Sequence, residues 1–322
     1  SGMTGSAVAD ASGLGIMEIE AMRKEGYDDG FSAAITAGSA VIGPIFPPSI
    51  PLVIYGVIAG ASIGNLFLAG MVPGIILALA LCIYVCYIAN KRNYPSGRKY
   101  AGMEFIRMTV SAIPALLTPI ILLMGIYTGI MTATEAGAVA ALYALLISIF
   151  AYRSMTLPEF IQVLKNTVKS TGQIGIMLGA AYVFSYVIAV ENLPSLAGNL
   201  ILSFATTKVT FLIFVNIILF ILGMLLDSAV LQLVLLPILC PIAQSLGIDM
   251  VHFGVVFTLN TMIGLCTPPF GMLLFIVTGI SGEKMNPIIK EVMPMVLVMV
   301  LVLILVTFVP DVIMWLPRLF GR

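Results

Sequence analysis

Apolar runs close to the roughly 20 residues that a bilayer-crossing helix needs recur at about 72–90, 112–130, 133–152, 172–190, 209–226 and 292–316. Between them lie four apolar segments that are shorter or interrupted by Gly and Pro: 1–22, 31–60, 227–247 and 251–281. This pattern predicts an all-α polytopic membrane protein in which some helices break part-way. Segments 100–111 and 156–169 are amphipathic and are expected to lie along the membrane interface.

Orientation follows from basic residues beside helix ends. Lys91, Arg92, Arg98, Lys99 and Arg107 stand against Glu104 alone, and Arg153, Lys165 and Lys169 follow two helices later. Both stretches belong on the cytoplasmic face, with the turn Thr132–Glu135 on the other. Thr132 and Glu135 have the spacing of a capping box.

The interrupted segments repeat. Residues 42–56 align with 263–277 at an offset of 221, pairing Gly43 with Gly264 and Pro47-Pro48 with Pro268-Pro269. At that offset Gly26-Tyr27-Asp28 meets Gly247-Ile248-Asp249, and Ser6-Ala7-Val8 meets Ser228-Ala229-Val230 after a slip of one residue. Each copy reads as a Gly-containing turn, a short helix ending at Gly-x-Asp, a helix broken at Gly-x-x-x-Pro-Pro, and an apolar half-helix. Proline removes a backbone donor and crowds the preceding turn, so each break frees carbonyls. In hydrocarbon such backbone survives only where it lines a cavity or is covered by protein. Kinks used only for packing would not need a Gly and two prolines in both copies. Paired breaks in two halves point instead to a transporter's binding site, expected to be built from inverted repeats whose broken helices cross the bilayer in opposite directions. Freed carbonyls suit a cation such as Na+, and half-helix N-termini suit an anion.

Composition sharpens this picture. Apolar residues make up 60% of the 322 and charged residues 9%, against about 25% charged in a soluble domain. Mean hydropathy is +1.13. Most of the surface therefore belongs in the lipid bilayer, and a formal charge of zero gives nucleic acid no electrostatic hold. Cys82, Cys86, Cys240 and Cys266 lie in apolar runs, with His252 the single histidine, and read as buried small apolar residues rather than a metal or redox site. The chain opens at Ser1-Gly-Met-Thr-Gly-Ser, which reads as the middle of a longer protein.

Ionisable residues within membrane segments default to function. Asp10 and Asp227, each beside a turn of small residues, are the two candidates, although Asp also favours helix caps. Ser39, Ser49, Asn260 and Thr267 place neutral oxygens in or just before the breaks; these suit Na+, and each is equally able to bond its own helix. No Arg or Lys lies in a break, so an anion there would rely on backbone amides, hydroxyls and bound sodium. A nucleophile–base pair or metal cluster is not visible, and the chain is not read as an enzyme.

Several stretches together resemble the large membrane (M) subunit of the tripartite ATP-independent periplasmic (TRAP) transporter family. They are Gly2 to Asp10, Gly26 to Asp28, Ile42 to Pro51, Thr132 to Ala136, Asp227-Ser228, Gly247 to Asp249 and Gly264 to Pro269. The resemblance implies an elevator mechanism, with two re-entrant hairpins and two broken helices moving against a scaffold, and further helices before Ser1. It implies the hairpin tips near Thr4–Asp10 and Asp227–Ser228, with Thr4, Ser6, Asp10, Asp227 and Ser228 near substrate. Gly43, Ser49, Gly264 and Thr267 fall near sodium sites. Thr4 departs from the more usual Ser but keeps the hydroxyl. Residues 1–70 and 166–285 would form the two transport-domain repeats, 71–165 the scaffold and interfacial helices, and 286–322 a C-terminal span. Implied as well are Na+-coupled uptake of a small organic anion, a periplasmic substrate-binding (P) protein, a small four-helix membrane (Q) subunit and a place in the bacterial inner membrane. A stand-alone Na+/dicarboxylate or citrate-type carrier is the alternative, and the substrate stays open among C4-dicarboxylates, sialic acid and other acids or sulfonates.

Overall fold

The computed structural model describes residues 5–94, 102–191 and 206–320, and all regular structure among them is helical. The chain divides into two compact units, one of residues 1–96 with 188–322 and one of residues 97–187.

The first unit opens with one helical turn, Ala7–Ala9, which widens into a π-turn at Asp10–Leu14 and tightens again in α1 (Gly15–Lys24). Then follow α2 (Asp29–Ala40), α3 (Ile50–Ala59) and α4 (Ile63–Lys91). The second unit holds α5 (Gly102–Tyr127), α6 (Ala133–Leu146, closing in a π-turn at Ile147–Ala151) and most of α7 (Leu157–Val190). There Tyr143 and Tyr152 donate their hydroxyls to Pro114 O (3.0 Å) and Ser111 O (2.8 Å), tying α6 to α5. The capping box is made: Thr132 Oγ1 accepts from Glu135 N (3.3 Å) and Glu135 Oε2 from Thr132 N (2.8 Å). Returning to the first unit, α8 (Lys208–Gly223) leads into α9 (Ser228–Ser245), α10 (Met250–Leu265), α11 (Met272–Ser281), α12 (Met285–Phe308) and α13 (Asp311–Phe320).

The repeat is visible bond by bond. At the end of α1, Gly26 N donates to Arg23 O (3.0 Å) and Tyr27 N to Met22 O (3.0 Å); at the end of α9, Gly247 N donates to Gln244 O (2.8 Å) and Ile248 N to Ala243 O (2.9 Å). Both are Schellman closures. Their glycines hold φ of +88° and +68°, where a side chain would be strained. The slip of one residue also has a physical cause. One extra residue in a helix is absorbed by widening a turn to π geometry, and that π-turn interrupts the first copy while α9 stays α-helical.

Each break is held by the turn that precedes its own repeat: Ile50 N donates to Gly5 O (3.3 Å), and Gly271 N to Met224 O (3.1 Å). Both Pro–Pro peptide bonds are cis. The half-helices then exchange partners. α3 runs back along α10, with Tyr55 Oη donating to Met250 O (2.8 Å) and its ring occupying the space a side chain at Gly254 would need. α11 packs along α2; its end is tied to α1, where Arg23 donates to Ser281 O, and the end of α10 is tied to α2, where Cys266 Sγ donates to Ala37 O (3.0 Å).

Residues His252 to Leu265 of α10 are all buried, making it the centre of the unit. Gly38 of α2 admits Met295 and Met299 of α12 to close contact, and Ala33, Ala34 and Ala37 of the same helix are buried. Among the described residues six helices are long and apolar enough to cross a membrane: α4, α5, α6 with its π-turn, α7, α9 and α12. Outward apolar side chains such as Ile83, Leu297 and Leu301 would be costly in water and suit lipid.

The structure corrects several expectations. Segments 100–111 and 156–169 are not separate interfacial helices: α5 runs on from Gly102 and α7 on from Leu157. The run at 209–226 is a 16-residue helix ending at Gly223, and the C-terminal run stops at Phe308 before α13. Segment 227–247 is unbroken despite Pro237 and Pro241, which lie four residues apart on one face and so free only neighbouring carbonyls. Cys240 and Cys266 are buried, but Cys82 and Cys86 are exposed on the apolar outer face of α4.

Candidate functional site

A pocket of about 120 Å³ forms where both repeats' opening turns meet the first break. Gly5, Ser6, Ala7 and Val8 line it from one turn, Asp227, Ser228 and Ala229 from the other, and Pro44, Ile50 and Pro51 from the break. Ile54, Met262 and Leu265 complete an apolar floor. The pocket is small, with room for a few waters or for one end of a larger ligand.

Local chemistry sets each polar wall. Ser6 caps the first turn, its Oγ accepting from Ala9 N at 3.4 Å. Asp227 caps α9, its Oδ1 accepting from Ala229 N at 2.8 Å, so the cap faces the pocket. Ser228 Oγ lies 2.9 Å from Thr261 Oγ1 of α10, and Thr261 directs its own proton to Phe257 O or Thr258 O. Where Thr261 gives its proton to its own helix, Ser228 is the donor of that pair, and where Thr261 gives it to Ser228 the roles are reversed. Asp10 is 3% exposed, four residues after Ser6, at the start of the π-turn. Thr4 lies outside the described residues.

The residues singled out for sodium are spread over both breaks. Ser49 spans the first: its Oγ accepts from Leu52 N (3.1 Å), capping α3, and donates to Pro44 O. Gly43 is buried in the same turn. Ser39 Oγ donates to Thr36 O (3.3 Å) and Thr267 Oγ1 to Ile263 O (2.8 Å), each bonding its own helix while keeping acceptor lone pairs. Asn260 Nδ2 donates to Asn216 Oδ1 (2.6 Å) and Asn216 O (2.9 Å) of α8, whereas its Oδ1 is buried without a partner among the described residues. A buried amide oxygen in that state fits a desolvated cation. Gly264 has a packing role, since a Cβ there would sit 2.5 Å from Gly223 C. Replacing Ser49 by Ala would remove the cap and orphan the Pro44 carbonyl, at about 1–3 kcal/mol. Thermal unfolding in detergent should show that loss, and unchanged stability would mean that water replaces the hydroxyl.

Two larger depressions lie elsewhere. One of about 300 Å³ between α8 and α12 is apolar apart from Asn216 and Thr307; another of about 540 Å³ is rimmed by Asp28, Asp29, Glu283 and Glu291 together with Lys290. At that acidic rim Arg92 pairs with both Glu291 carboxylate oxygens (2.8 and 2.9 Å) and bonds Tyr94 Oη, which donates to Asp28. Asn216 and Thr261 are site residues that sequence reasoning missed. Asn216 is a lone amide in an apolar run, and that signal was present.

The profile of the family described as "Tripartite ATP-independent periplasmic transporter, DctM component" matches residues 1–312. The sialic acid TRAP transporter large permease protein SiaM of Vibrio cholerae is 42% identical over 320 residues, covering 99% of this chain and 75% of that protein. SiaT, a sialic acid TRAP transporter permease protein of Haemophilus influenzae, is 40% identical over 99% of this chain, which spans 52% of it. DctM of Pseudomonas aeruginosa, a C4-dicarboxylate TRAP transporter large permease protein, is 34% identical, with 99% and 75% covered.

Proposed function

The chain belongs to the DctM component family of tripartite ATP-independent periplasmic transporters, and we propose that it carries a small organic anion across the bacterial inner membrane, driven by Na+. A multi-pass membrane protein of this family works in a tripartite system. The partners we assign are a periplasmic binding protein that delivers substrate and a small four-helix membrane subunit. The observation that carries the reading is the pocket itself. Two pre-helix turns from duplicated halves and one proline break converge on a small space without a cationic side chain among the described residues of its walls. An anion there would be held by backbone donors and the Ser6 hydroxyl, with sodium offsetting its charge and that of Asp227.

Sodium is assigned to the two breaks, with Ser39, Gly43 and Ser49 on one side and Asn260, Gly264 and Thr267 on the other. The orphaned Asn260 Oδ1 supports the second. Substrate contact is assigned to Thr4, Ser6, Asp227 and Ser228, with Asp10 behind the first turn. Transport by an elevator motion of the first unit's repeats is the mechanism that inverted, broken helices serve. The substrate is drawn from the classes named for the relatives, sialic acid and C4-dicarboxylates.

Reconstitution into proteoliposomes with the binding protein and small subunit tests this directly. Uptake of radiolabelled sialic acid or succinate should require an inward Na+ gradient. Equal uptake with K+ replacing Na+ on both sides would overturn the coupling; uptake without the binding protein would overturn the tripartite assignment.

A further inference from the structure

One turn along α9 from the pocket, Gln232 is completely buried, and neither its Oε1 nor its Nε2 has a hydrogen-bond partner among the described residues. Thr258 of α10 is equally buried, and its Oγ1 is also unpartnered. The two belong to one seam. α9 and α10 run antiparallel through the Gly247 turn, and Ser228 meets Thr261 at 2.9 Å. Gln232 stands one turn after Ser228, and Thr258 one turn before Thr261, so helical periodicity faces them towards each other. Four polar side chains thus lie along one buried contact, with three orphaned atoms at its inner end.

The chemistry of the orphans selects the ligand. An amide needs an acceptor for its N–H groups as well as a donor for its oxygen. Exchanging the assigned positions of Oε1 and Nε2 changes nothing, since both lack partners. A bare cation would satisfy the oxygen and repel the amide nitrogen. An anion would do the reverse. Only a ligand that both donates and accepts answers Gln232 and the Thr258 hydroxyl together. We infer that Gln232 and Thr258 hold one or two ordered waters in a buried seam between α9 and α10, reaching from beneath Asp227 and Ser228 into the core of the second repeat. Buried waters of this kind make about three hydrogen bonds each, and the Ser228–Thr261 hydroxyl pair borders the seam. The first repeat differs at the same place. Gln232 follows Ser228 by four residues as Asp10 follows Ser6, and there the π-turn reshapes the helix. The wet seam therefore belongs to the second repeat.

Stability reads this seam with opposite signs for its two states. In a dry seam the orphans are a net cost, so the near-isosteric Gln232→Met and Thr258→Val would each raise the unfolding temperature. In a wet seam they expel a bonded water, and each should lower it by a few degrees, while Thr258→Ser, which keeps the hydroxyl, stays near wild type. Scanning fluorimetry of the purified chain in detergent makes the comparison, and a rise for both apolar variants overturns the proposal. A wild-type map fine enough to show ordered water should place a peak between Gln232 and Thr258. A clean map without one overturns it, whatever the variants do. Neither measurement involves transport, so failure here leaves the transport reading standing.

Discussion

Replacing Asp227 by Ala is expected to abolish sodium-driven uptake in proteoliposomes while leaving membrane insertion intact. The carboxylate does two things at once: it caps α9 through Ala229 N at 2.8 Å, and it stands in a pocket floored by Ile54, Met262 and Leu265. Loss of a cap costs about 1 kcal/mol, too little to unfold a unit with this much buried helix. Loss of the charge is the larger change, because an ionised group beside apolar walls is tolerated only where a partner or ligand answers it. Asp227→Asn separates the two roles. Its side-chain oxygen keeps the bond to Ala229 N, so the unfolding temperature should match wild type while uptake falls as far as in the Ala variant. Wild-type uptake by Asp227→Ala would remove this residue from the mechanism. Full uptake by Asp227→Asn alone would reduce its role to capping.

The repeat was legible because its landmarks carry their own local physics. Gly26 and Gly247 are needed at positive φ, Asp28 and Asp249 stand at helix starts, and the proline pairs forbid continuous helix wherever they fall. Such residues mark their positions without tertiary context, which is why an offset of 221 residues aligned turns, caps and breaks together. Even the slip between Ser6 and Ser228 carried information, for it marks the residue that the π-turn at Asp10 absorbs.

Partnership was not legible. Nothing in the linear pattern pairs Ser228 with Thr261, Asn260 with Asn216, or Tyr55 with Met250, since each pair is set by how helices far apart in sequence pack. Continuity was misread for a related reason. Pro237 and Pro241 look like a break, but they sit inside one continuous helix that packs against α3 and α10. At Pro47-Pro48 and Pro268-Pro269, consecutive prolines disrupt neighbouring turns, and no packing restores the ladder.

Gly264 shows how these levels combine, and it carries the largest expected effect on stability. The family resemblance places it by a sodium site, whereas the structure gives it a role in packing, because α8 and α10 touch backbone to backbone there. A Cβ on Gly264 would lie 2.5 Å from Gly223 C, 2.7 Å from Gly223 Cα and 2.8 Å from Gly223 O. All three are main-chain atoms, so no side chain can swing aside and the helices themselves must part. Gly264→Ala should cost about 3 kcal/mol or more. The reverse substitution is not equivalent. A Cβ on Gly223 meets Gly264 Cα, Thr261 Cα and Thr261 O all at 3.4 Å, close to ordinary contact, and Gly223→Ala should cost at most about 1 kcal/mol. Gly175→Ala on α7, with nothing within 4 Å of its Cβ, should be neutral or slightly stabilising from helix propensity alone. Thermal unfolding of the three variants in detergent should therefore rank Gly264 far below Gly223, and Gly223 near Gly175. Equal effects at Gly264 and Gly223 would mean that the two helices are not in direct backbone contact. The sodium assignment at the second break would then lose the rigid wall on which a desolvated cation site depends.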